Sequence, residues 1–83
     1  MKALLFTSPS CKACPAMKRN LAAAGIKFDE LDVNVRENWA IAGLYHVKSL
    51  PTLVVVDGGR PLESLVGAQP FHALVQLKAR RAL

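Results

Sequence analysis

The stretch that decides how this chain folds is Lys2-Ala3-Leu4-Leu5-Phe6-Thr7-Ser8-Pro9-Ser10-Cys11-Lys12-Ala13-Cys14-Pro15-Ala16-Met17-Lys18-Arg19-Asn20-Leu21-Ala22-Ala23-Ala24-Gly25. The uninterrupted apolar run Ala3 to Phe6 reads as the middle of a strand over Lys2–Thr7 that is covered on both faces, because a strand with one wet face would alternate. Thr7-Ser8-Pro9-Ser10 breaks the run as a turn carrying helix-start signals. Cys11 to Ala24 then reads as a helix, with Ala13, Met17, Leu21 and Ala24 near one face and Gly25 where a helix ends. A strand that feeds a helix through a short polar turn asks for a second, parallel strand reached by a right-handed crossover.

Working outward, Lys27 to Val33 supplies that strand, with Phe28, Leu31 and Val33 apolar among acids. Arg36 to Tyr45 reads as a short helix carrying Trp39, Ile41, Ala42 and Tyr45. Thr52 to Val56 is a β-branched, buried strand entered through Pro51, and Asp57-Gly58-Gly59-Arg60 is a tight turn whose adjacent glycines supply positive φ. Leu62 to Val66 returns as its antiparallel partner. Pro70 opens a last helix with Phe71, Leu74 and Val75 on one face and cations at its end, where they complement the helix dipole. Trp39 and Phe71 read as packing residues, since each lies beside apolar neighbours on a helix. The order strand–helix–strand–helix–strand–strand–helix predicts an α/β fold with a mixed four-stranded sheet and helices on both faces. Copper chaperones, which also carry an early Cys-x-x-Cys, end on a strand instead.

Length and composition agree with one domain over residues 1–83. A chain of 83 residues with 52% hydrophobic residues is not disordered, yet it buries only about 60–65% of its extended surface, so each apolar element must be used. The longest apolar runs, Ala3–Phe6 and Leu53–Val56, fall far short of the ~20 residues that cross a bilayer. Met1-Lys2 runs directly into the first strand without the pattern of a signal peptide, and a cytoplasmic location is expected. The net charge of +5 is dispersed over Lys12, Lys18 and Arg19 and over Lys78, Arg80 and Arg81. It reads as solvated helix faces, and no nucleic-acid or membrane partner is expected.

The two cysteines, three residues apart, close too small a loop to staple a fold, so their spacing has a chemical reason. Cys-x-x-Cys after a strand and at the start of a helix is the context of a redox pair. Unpaired amides at a helix start favour an anion, which makes Cys11 the nucleophilic thiol and Cys14, one turn deeper, the resolving one. Cys11 attacks a substrate disulfide, Cys14 attacks the mixed disulfide, and release of the reduced substrate leaves Cys11 bonded to Cys14. A structural zinc site would need four ligands, and only His46 and His72 are available besides the cysteines.

With the cysteines, the segment Val47-Lys48-Ser49-Leu50-Pro51-Thr52 and the segment Val66-Gly67-Ala68, the chain resembles the thioredoxin superfamily over essentially its whole length. The resemblance implies a thioredoxin-like fold and a cis bond before Pro51. It also implies a substrate groove made by Ser10, Lys12, Leu50, Pro51 and Gly67, in which the Leu50 backbone pairs with an extended segment. It implies a monomer that binds no cofactor, draws electrons from NADPH through a separate flavoprotein, thioredoxin reductase, and passes them to protein disulfides, ribonucleotide reductase being one such client.

Departures from the family pattern narrow the expectation. Thioredoxins usually carry Trp-Cys-Gly-Pro-Cys and a buried Asp–Lys pair, whereas the matching positions here are Ser10-Cys11-Lys12-Ala13-Cys14, Leu5 and Asp57. Cys14 must then release its proton to water or to another group, and Lys12 lowers the pKa of Cys11 by direct attraction. Glutaredoxins place Gly-Gly-x-Asp where this chain has Gly67-Ala68-Gln69-Pro70, so a small thioredoxin is preferred to a glutathione-linked glutaredoxin. A non-enzymatic thiolate metal carrier is the third alternative.

Overall fold

The computed structural model describes residues 1–83. Seven elements follow in order: β1 (Lys2–Thr7), α1 (Cys14–Ala23), β2 (Asp29–Asp32), α2 (Arg36–Leu44), β3 (Thr52–Asp57), β4 (Arg60–Val66) and α3 (Phe71–Arg81). They build a sheet of order β2-β1-β3-β4, with β1 parallel to β2 and antiparallel to β3, and with β3 antiparallel to β4. The sheet is mixed and four-stranded, as the element order requires.

The continuous apolar runs divide their side chains between two layers. Ala3 and Leu5 of β1 and Leu53 and Val55 of β3 pack with Met17 and Leu21 of α1 and Leu74 and Leu77 of α3. Phe6, Val54 and Val56 face the other way, against Ile41 and Ala42 of α2 and Tyr45, Val47 and Leu50 after it. Period-two alternation in strands and i, i+3 or i, i+4 spacing in helices account for both layers. The α1/α3 layer is the larger, so most of the hydrophobic stabilisation lies beneath the helix that carries Cys14.

Several boundaries differ from those expected. α1 begins at Cys14 rather than Cys11, because the Cys11 amide is spent on Ser8 O at 3.1 Å in a turn and Pro15 suits only the first positions of a helix. β2 is shortened to Asp29–Asp32. β4 extends back to Arg60 through Pro61, beside a register shift at Val55/Val56, which an edge strand tolerates. Gly58 (φ 58°) and Gly59 (φ 82°) both take positive φ in the connecting turn.

Trp39 and Phe71 are not core residues: they are 57% and 48% exposed. The indole of Trp39 lies under the Arg36 guanidinium, 5.8 Å from the ring centroid, while α2 presents Ile41 and Ala42 to the sheet. In α3 the buried pair is Leu74 and Leu77, and Val75, about 100° further round from Leu74, is exposed. No helix is long and apolar enough to cross a membrane.

Candidate active site

Strand directions gather three segments at one end of the sheet. β1 runs antiparallel to β3, so its last residues pair with the first of β3, Phe6 opposite Thr52. β3 runs antiparallel to β4, so Thr52 also lies opposite Val66. The turn after β1 holds Cys11 and enters α1 at Cys14, the loop before β3 holds Leu50 and Pro51, and the loop after β4 holds Gly67. The Leu50–Pro51 bond is cis, and the Gly67 amide donates to Pro51 O at 2.8 Å. Gly67 has φ +86°, a conformation that glycine takes without penalty. Pro51 is buried, while Leu50 is half-buried against the Phe6 layer.

Cys11 and Cys14 are joined by a disulfide with their Cα atoms 5.5 Å apart. Their surroundings are unequal: Cys14 is 3% exposed and Cys11 is half-buried. Ser10 and Lys12 are both exposed, with the Ser10 hydroxyl 3.3 Å from that of Ser8. His46 and His72 are exposed as well, and no group of three or more His, Cys, Asp or Glu is arranged so that it could hold a metal ion.

Beside the disulfide is a recess of about 200 Å³ lined by Thr7, Cys11, Cys14, Lys18, Glu30 and Asp32, among others. Leu5 is fully buried in the core, and Asp57 is exposed at the hairpin, so neither contributes to it. The charged groups come instead from α1 and β2. Thr7 Oγ1 donates to Glu30 Oε2 at 2.9 Å, and Lys18 Nζ lies 3.3 Å from both Glu30 oxygens. Reading the sequence missed Lys18, Glu30 and Asp32. The signal was the alternation in Asp29-Glu30-Leu31-Asp32: with Glu30 in register with Leu5 and Asp32 with Thr7, both acids share the sheet face that α1 covers.

The family model described as thioredoxin matches residues 3–79 of this chain. The chain belongs to the thioredoxin family. The thioredoxin of Bacillus subtilis is 36% identical over 76 residues, covering 87% of this chain and 73% of that protein. Staphylococcus aureus thioredoxin is 39% identical over the same length and coverage. Among solved structures, a mutant thioredoxin from Halobacterium salinarum superposes with a TM-score of 0.79 at 28% identity, over 93% of this chain and 71% of that one. Thioredoxin 1 from Thermosipho africanus, at 20% identity, shares the fold with a TM-score of 0.75 over 99% of this chain and 94% of that one. With its bonded Cys-x-x-Cys pair, this thioredoxin-family chain is a thiol–disulfide oxidoreductase of the protein-disulfide reductase type.

Proposed function

We propose that the chain is a small, monomeric cytoplasmic thioredoxin in which Cys11 is the attacking thiol and Cys14 the resolving one. The observation that carries this reading is the unequal burial of the pair. Thiol–disulfide exchange needs an approach in line with the sulfur attacked, and of the two only Cys11 has an open side. Cys14, 3% exposed, meets only a disulfide already anchored next to it, and its attack is intramolecular.

Protein disulfides are the substrates, and ribonucleotide reductase stands among such clients. Leu50, Pro51 and Gly67 offer backbone to an extended segment next to the disulfide, Ser10 and Lys12 rim the same end, and the Lys12 charge draws the Cys11 thiol toward its thiolate. Electrons come from NADPH through a separate flavoprotein reductase, and the chain itself holds no cofactor.

The test is NADPH consumption by the purified protein with thioredoxin reductase and insulin. Cys11→Ser abolishes turnover, and Cys14→Ser accumulates a mixed disulfide with insulin that is visible by mass. Normal turnover by Cys14→Ser would overturn the two-thiol scheme. Saturable reduction by glutathione in place of the reductase would move the chain to the glutathione-linked class.

A further inference from the structure

Resolution by Cys14 requires its thiol proton to leave, and the core below offers no acceptor: Met17 and Leu21, the next residues along that face of α1, are apolar and fully buried. Away from that core Cys14 borders the recess, where the charged groups are Lys18 from α1 and Glu30 and Asp32 from β2. The Asp32 carboxylate accepts the Asn34 amide at 2.8 Å through Oδ1, and no side-chain hydrogen bond fixes it to β1 or α1. Glu30 is held in place by two partners, Thr7 at 2.9 Å and Lys18 at 3.3 Å. Thr7 uses Oε2, so Oε1, with Lys18 as its one partner, keeps acceptor capacity in hand.

We propose that Glu30, positioned by Thr7 and Lys18, accepts the Cys14 proton in the resolving step. The proposal rests on the assignment of Cys11 as attacking and Cys14 as resolving thiol. The recess measures about 200 Å³, against the roughly 10–15 Å³ that admits one water molecule. Water in the recess would relay the proton from thiol to carboxylate. In the step, the Cys14 S–H proton passes to the Glu30 carboxylate and the Cys14 sulfur forms a bond to the Cys11 sulfur. The bond from Cys11 to the substrate sulfur breaks, and its electron pair leaves with the substrate as a thiolate. The protein dithiol loses two electrons, the substrate disulfide gains them, and the proton on Glu30 is then given up to solvent or to the departing thiolate.

Stopped-flow reaction of the reduced protein with dithiobis-nitrobenzoate separates the steps. A bimolecular first release of nitrothiobenzoate reports Cys11, and a concentration-independent second release reports Cys14. Loss of the first phase in the unsubstituted protein would mean that the thiol assignment itself is wrong. Glu30→Gln is expected to leave the first phase unchanged and to slow the second about 100-fold at neutral pH, at the weak end for general-base catalysis. The deficit closes in alkaline buffer, where hydroxide ionises the thiol directly. Glu30→Asp recovers part of the rate, and Thr7→Val, which frees the carboxyl from its anchor, loses part of it. The sign separates this role from a purely electrostatic one, because removing a nearby negative charge favours the thiolate and would speed the second phase. A second phase that is unchanged or faster in Glu30→Gln overturns the proposal. Should that variant not fold, unaltered second phases in both Glu30→Asp and Thr7→Val overturn it equally.

Discussion

Replacing Gly67 by alanine isolates what the loop after β4 demands of its backbone. Gly67 sits at φ +86°, and no heavy atom lies within 4 Å of the point a Cβ would occupy. The added methyl therefore meets no collision, and alanine keeps the amide that donates to Pro51 O at 2.8 Å. What remains is the left-handed torsion, about 1–2 kcal/mol for a residue with a Cβ, partly offset by about 0.4–1 kcal/mol from the narrower unfolded ensemble of alanine. The net destabilisation is about 1 kcal/mol, a fall in Tm of about 4–8 °C for a domain of this size. Gly43 is the control: it lies within α2 and also has nothing within 4 Å of a Cβ position. In the last turn of a helix Gly43→Ala stabilises by about 0.5 kcal/mol, the low end of the value for a helix interior. Thermal unfolding of the oxidised protein, followed by far-UV circular dichroism, should move in opposite directions for the two variants and return part of the way to the starting value for the double variant. A Gly67→Ala protein as stable as its parent would refute the reasoning, since it would mean that the loop relaxes to negative φ and that Pro51 does not hold it.

Leu21→Ala should lose about 2–5 kcal/mol in urea unfolding, because Leu21 is fully buried between α1, α3 and the sheet; a loss under 1 kcal/mol would contradict that packing. Glu63 titrates below the ordinary glutamate value because it accepts hydrogen bonds from Arg80 and, with burial opposing, from Arg81. The stability it contributes is fully present above its unfolded value, about 4.3, and is lost as pH falls through the lower folded value. The parent and Glu63→Gln should therefore differ in Tm at neutral pH and converge in acid, and curves that stay parallel would refute the assignment. Trp39→Ala should change stability by less than about 0.5 kcal/mol, as for other surface positions, while abolishing the fluorescence of the only tryptophan. A Tm loss of core size would mean that the indole is covered in solution.

The central strands were legible because β1 and β3 are buried on both faces, and two-sided burial leaves an unbroken apolar run in the sequence. The cysteine motif was legible through its place between a strand and a helix, and the hairpin through adjacent glycines. Residues whose fate depends on a tertiary neighbour were harder to read. Trp39 has the composition of a core residue, but Arg36, one helical turn earlier, takes up its ring face. The first turn of α1 was misplaced because the Ser8–Cys11 turn uses the same hydrogen-bonding groups that a helix would. Glu30 escaped notice because β2 is four residues long, too short for alternation to stand out, and its meaning depends on which face α1 covers.

The two outer strands have a consequence for life at high concentration. A sheet that ends in open edges invites a second copy to add a strand, and proteins that must diffuse singly between partners discourage this. β2 offers four residues, three of them acidic, and a neighbouring copy would bring the same negative charges against them. β4 carries Pro61, which has no amide to donate, and its Glu63 is tied back to α3 by Arg80 and Arg81. Both borders are thus poor templates for self-pairing, and the chain's own copies do not compete with protein disulfides for the end of the sheet that carries the cysteines.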